Sequence, residues 1–85
     1  GEKNPQPVFA SKGLMVEQST AVGSGKEHLK LILKDGPYLF NAIGFRFGEL
    51  LPNLPQKMDV AFHFTENNFR GRKEYQLQII DVSAS

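Results

Sequence analysis

The 85-residue chain has no cysteine and no tryptophan. Without thiols it can form neither a disulfide framework nor a thiolate metal site, which suits a reducing, cytoplasmic setting. No apolar run approaches the roughly 18 residues of a membrane span, so no membrane partner is expected. The opening GEKNPQPVF lacks the apolar core of an export signal. Neither charge sign dominates: ten basic and nine acidic residues leave +1, so a polyanionic partner must be argued from where the charges sit. Catalytic groups are equally sparse. Ser11, Ser19, Ser24, Ser83 and Ser85 fall in no set with a histidine and a carboxylate. Asp35, Asp59 and Asp81 lie at separate strand ends. His28 and His63 have no companion at metal-ligand spacing. GSGKE places Glu27 where a phosphate loop needs Ser or Thr, with no glycine at the right distance before it. The chain by itself is therefore not expected to be an enzyme.

What the sequence does contain is alternation. Residues 1–9, with two prolines and no period, read as an extended lead-in, and 10–85 as one domain. Residues 13–22 mix β-branched and polar residues as a first strand, and VGSGKE turns the chain. In HLKLILK (28–34), Leu29, Leu31 and Leu33 alternate with His28, Lys30, Ile32 and Lys34, a half-buried strand. After the Asp-Gly turn, 38–45 is a third strand with apolar residues on both faces, so its inward side stays open. Leucines 50, 51 and 54, limited by Pro52 and Pro55, predict a short helical turn. In 58–65, Met58, Val60, Phe62 and Phe64 point one way. In 73–82, Tyr75, Leu77 and Ile79 point inward, with a slip at Ile80 that predicts a bulge.

Three strands, a short helix and two strands make a small meander with two exposed edges, and closing it into a barrel removes them. The predicted fold is all-β: a five-stranded OB-fold barrel with a short helix between strands three and four. Its second and third strands and its 1–2 and 4–5 loops are the usual ligand surfaces. An SH3-like barrel or small sandwich is the alternative.

On that scheme Lys26 lies in the 1–2 loop, and Arg70, Arg72 and Lys73 in the 4–5 loop. His28, Lys30 and Lys34 lie on the outward face of strand two. Single-strand binders pair such cations with aromatics on which bases stack. Phe69 and one of Phe45 or Phe47, with Tyr38 behind, are the candidates, and Arg46 lies between the two phenylalanines. Each has a plainer role open to it: strand lysines protect edges, Phe69 can close the barrel mouth, and Arg46 can brace the helix start.

Five segments in order carry a family resemblance. Asn4-Pro5, Pro7 and Phe9 resemble "GxGNPxPxF", with Lys3 in place of the usual glycine. Gly23 with His28-Leu29-Lys30-Leu31 resembles "G…HLKL", and Ala42-Ile43-Gly44-Phe45 with Gly48-Glu49 resembles "AIxFxxGE". Asn67, Asn68, Phe69 and Gly71, then Gln76-Leu77 and Asp81, resemble "N-x-[WF]-x-G…QL…D". Together they resemble the OB domain of the RecJ family, bacterial single-strand-specific 5′→3′ DNA exonucleases of the DHH class. The resemblance implies an accessory domain of a cytoplasmic bacterial enzyme of DNA repair and recombination. Its ligand would be single-stranded DNA. Its partners would be the parent nuclease core and a single-strand-binding protein. Mn2+ or Mg2+ would be the cofactor of a catalytic core absent from these residues. The alternative is a structural docking domain whose basic face contacts that core or that partner.

Overall fold

In the computed structural model, residues 6–85 are described, apart from the side chains of Asn67 and Phe69. The alternating segments form five strands: β1 (Phe9–Val22), β2 (His28–Asp35), β3 (Tyr38–Gly44), β4 (Lys57–Phe69) and β5 (Arg72–Ala84). They close in the order β1-β2-β3-β5-β4, an OB barrel. A 3-10 helix, Gly48–Asn53, joins β3 to β4. Pro52 inside it and its brevity favour the tighter i→i+3 turn, seen in Leu50 N–H donating to the Phe47 carbonyl at 3.0 Å.

Closure rests on β1. Its second half pairs with β2 from Met15↔Lys34 to Val22↔His28, and its first half pairs with β4 from Phe9↔Phe62 to Met15↔Lys57. The strand turns between its two neighbours at Gly13, whose φ of 69° is the left-handed region that a Cβ disfavours. Gly13 N–H donates to Asp59 Oδ1 at 2.9 Å, which fixes the corner on β4. The other seam is narrow and parallel, Ala42↔Leu77 and Ile43↔Gln78.

Leu29, Leu31 and Leu33 are buried, as their alternation predicts, with Leu14, Ala42, Met58, Val60, Phe62, Leu77 and Ile79 around them. Leu51 and Leu54 of the helical segment pack on this core and plug one end. The inward face of β3, open in the sequence, is Phe40, Ala42 and Gly44. The expected bulge is there: Ala61 pairs with Asp81 and Phe62 with Ile79, so Ile80 is the extra residue.

Four expectations are corrected. β1 begins at Phe9 rather than at 13, because β4 supplies a partner for the earlier residues. β3 ends at Gly44, so Phe45 lies just beyond the strand. The region 66–72 is not an open loop: β4 and β5 pair out to Phe69↔Arg72 around a two-residue turn. Phe64 and Tyr75 lie on the inward rows but outside the core, 49% and 63% exposed, because the hairpin runs past the end of the barrel where no opposite wall faces them.

Leu31→Ala should therefore cost about 2–5 kcal/mol in urea unfolding, the penalty of a buried leucine. Tyr75→Ser should stay within about 0.5 kcal/mol, as a surface change does.

Candidate nucleic-acid interface

The turn after β1 is built against the 3-10 helix. Lys26 N–H donates to the Gly23 carbonyl at 3.1 Å, and Gly48 N–H donates to the Glu27 carbonyl at 2.9 Å. A Cβ on Gly48 would collide with the backbone of Lys26 and Glu27, so only glycine lets the helix start approach this turn. Glu27 Oε1 accepts the Gly25 N–H at 2.9 Å. Its own backbone N–H first, then that of Gly25, hold the Glu27 carboxyl below the usual carboxylate range, with His28 and Arg46 adding attraction.

This brings four of the sequence-predicted residues together. Arg46 N–H donates to His28 Nδ1 at 3.0 Å, so the neutral imidazole carries its proton on Nε2, which lies 3.6 Å from Glu27 Oε2. The His28 ring meets Phe45 edge-on at 5.4 Å, and Phe45 is 52% exposed. Lys26, Glu27, His28, Arg46 and Glu49 line a shallow concavity of about 770 Å³, cationic and acidic groups mixed.

From this cluster the outward face of β2 runs along the barrel. Lys30 sits between Thr20 and Ile43, Ile32 between Gln18 and Asn41, and Lys34 between Met15 and Leu39. Gln18, Thr20, Val22, Lys30 and Asn41 line a shallow groove there. The β4–β5 turn lies at the far end. Because β3 and β5 are parallel with Ala42 opposite Leu77, Arg72 projects beyond Tyr38, at the opposite end from His28. The two loops that the sequence joins into one basic surface are thus separated by the length of β2.

The hairpin also divides its own cations. Arg72 is on the outward row with Gln76 and Gln78. Lys73 is on the inward row, with Nζ 3.3 Å from Glu66 Oε2 across the ribbon. Phe69 closes β4 by pairing with Arg72, and its side chain, expected to stack on bases, lies outside the described residues.

One signal was not available from residue types. Among the described residues, the non-glycine residues with positive φ are Lys26 (55°), Arg46 (69°) and Arg70 (52°), all of them basic. Arg70 and Gly71 (75°) form the paired positive-φ turn of a tight hairpin, a place where Asn-Gly is usual. Left-handed backbone costs an L-residue about 1–2 kcal/mol, and such strain concentrates at functional positions. No group of three or more His, Asp or Glu side chains is placed to share a metal ion among the described residues.

The family model described as the RecJ OB domain matches residues 1–81. The single-stranded-DNA-specific exonuclease RecJ of Haemophilus influenzae is 35% identical over 83 residues, covering 93% of this chain and 14% of that protein. RecJ of Thermus thermophilus is 32% identical over 82 residues, 96% of this chain and 11% of that protein. The crystal structure of Thermus RecJ in complex with Mg2+ superposes on 96% of this chain and 12% of its own, with a TM-score of 0.72 and 29% identity. The chain therefore spans between a tenth and a seventh of the relatives it matches.

Lys26→Gly should leave stability unchanged or raise it by up to about 1 kcal/mol, whereas Lys26→Val should lose about 1–2 kcal/mol, both read from thermal unfolding. The Glu27 carboxyl is depressed on folding, so its ordering of the turn is present above the unfolded value and lost as pH falls through the lower folded one. The Gly25 amide signal in NMR should accordingly titrate below the usual glutamate range, and Glu27→Gln should abolish that titration.

Proposed function

The chain belongs to the RecJ OB domain family, and from that premise we propose that it binds single-stranded DNA for a RecJ-like, single-strand-specific 5′→3′ exonuclease of bacterial DNA repair and recombination. The observation that carries the reading is the use of basic residues at Lys26, Arg46 and Arg70, positions where the backbone itself favours glycine. A lysine or arginine held there at a cost in stability gains its value from what its charge meets. The outward face of β2 supplies the track between them: Phe45 and His28 at one end as a surface for stacking, then Lys30 and Lys34 for phosphates, and Arg72 beyond. Stacking needs splayed bases, so single strands fit this face and duplexes do not.

The hydrolytic step belongs to the remaining polypeptide. Mn2+ or Mg2+ would act there as the cofactor of that catalytic core. The domain's work is to hold the strand and hand it to that nuclease core, with a single-strand-binding protein as a further partner in the bacterial cytoplasm.

Fluorescence anisotropy with oligo-dT and with a duplex of equal length tests this. Single-strand affinity should exceed duplex affinity, and equal affinities would remove the groove from the mechanism. Lys30→Ala and Arg46→Ala should each flatten the log–log salt dependence by about 0.7. Phe45→Ala should cost about 1–3 kcal/mol with the salt slope unchanged, because stacking releases no ions. The same pair of measurements on Phe69→Ala, with its melting temperature, separates a stacking residue from a lid on the core.

A further inference from the structure

The chain has two histidines, and each joins its Nδ1 to a main-chain group of another segment. The two bonds run in opposite directions. His63 faces the Pro7 carbonyl at 2.9 Å, a pure acceptor, so its Nδ1 carries the proton. A second proton on that ring leaves the bond in place. His28 faces the Arg46 N–H at 3.0 Å, a pure donor, so its Nδ1 is bare. A second proton on this ring can go only there, and it sets two N–H groups against each other.

What the His28 bond holds is a strained turn. Phe47 N–H donates to the Gly44 carbonyl at 3.2 Å, closing a turn over Gly44–Phe47. Arg46 stands third in it with φ 69°, a position that such turns give to Gly or Asn. The turn's own bond does not use the Arg46 N–H, so that group needs a partner from outside. Phe47 anchors one side by packing on the core and over Gly44. His28 anchors the other, through Nδ1 to Arg46 and edge-on to the Phe45 ring at 5.4 Å. Gly23 makes room for the imidazole, since a Cβ there would come within 3.1 Å of His28 Cδ2.

The surrounding charges pull both ways. Glu27 Oε2 lies 3.6 Å from His28 Nε2, and Lys26, Arg46 and Glu49 share the concavity with the ring. Lys30 follows on the outward row of β2, and β1 presents Val22 opposite. The two glutamates favour a charged ring, and the three cations oppose it. Glu27 is already committed: Oε1 accepts the Gly25 N–H and Oε2 faces Nε2. It does not replace Nδ1 as the acceptor for Arg46.

We infer that His28 is a positioning residue of the strand-binding face: its unprotonated Nδ1 holds Arg46 and Phe45 in place, and proton uptake there releases both. What Arg46 and Phe45 do on that face rests on the strand-binding reading above, and the lock fixes the sign of a pH effect. Histidines change charge between about pH 5 and 8, above the carboxylates. Were His28 one more cation on the track, acidification would tighten the hold on phosphate. As a lock, it weakens it.

NMR of the isotope-labelled chain without DNA, between about pH 8 and 5.5, tests the lock itself. The Arg46 amide should move upfield together with the titrating His28 ring signals. In His28→Asn, whose Oδ1 offers a non-titrating acceptor in the place of Nδ1, that amide should stay downfield throughout. Anisotropy with oligo-dT over the same range should show affinity falling about fivefold on acidification, the lower end of what one stacked base contributes. The fall should be absent from His28→Asn, read against that variant's own affinity at the higher pH. An affinity that rises or stays level on acidification, or an Arg46 amide indifferent to His28 titration, would each overturn the inference. Absence of oligonucleotide binding at every pH would instead strike the strand-binding reading, with the Arg46 amide still deciding the lock.

Discussion

Everything in this domain hangs on β1 being shared. One strand of 14 residues must serve as neighbour to β2 and to β4, which lie on opposite sides of it, and the corner at Gly13 lets it do so. If the corner were lost, the Leu29-Leu31-Leu33 row would still have a meander to lie on, but no roof. The Asp59 carboxylate that accepts the Gly13 N–H joins the corner to β4. The short parallel seam between β3 and β5 then completes the ring with two residue pairs. A core this small has no surplus apolar area, so closure and burial are one event.

The distribution of charge follows from that closure. A net charge of +1 gives no long-range pull toward a polyanion, so a binding role depends on local arrangement. The barrel provides it by giving the inward rows to leucine, valine, methionine and phenylalanine and sending His28, Lys30 and Lys34 outward along β2. The cations at Lys26 and Arg46 are set around the Glu27 carboxylate and the His28 ring, at the end plugged by the helix. Two glutamates there, Glu27 and Glu49, keep this cluster from being a simple basic patch.

Faces were legible in the sequence, and extents were not. Period-2 alternation assigns Leu29, Leu31, Leu33, Met58, Val60, Phe62, Leu77 and Ile79 to the interior correctly, and the slip at Ile80 locates the bulge. The same rule also sends Phe64 and Tyr75 inward. Their direction is right, but alternation carries no information about where the opposite wall stops. That depends on β1 beginning its β4 pairing at Phe9 and on β3 beginning at Tyr38, which are long-range facts. The hairpin turn was hidden for a local reason. Arg-Gly is not a recognised turn pair, so a strained arginine at its apex reads as loop. The basic residues were found by type, while their separation to the two ends of the barrel comes from the parallel β3–β5 register alone.

The double duty of β1 also bears on how the chain is made. As synthesis proceeds along this segment, β1, β2 and β3 can pair as a local meander joined by short turns. The Phe9–Met15 half of β1 then waits with an open edge until Lys57–Phe62 has been made, more than forty residues later. Ser11 and Lys12 stand on that waiting edge beside Gly13, residues poorly suited to recruiting a foreign strand. β4 and β5, by contrast, form a hairpin around two residues, and such units assemble in about 1–10 microseconds. The late and slow step is then the capture of an old edge by a new hairpin, a long-range contact in a short chain.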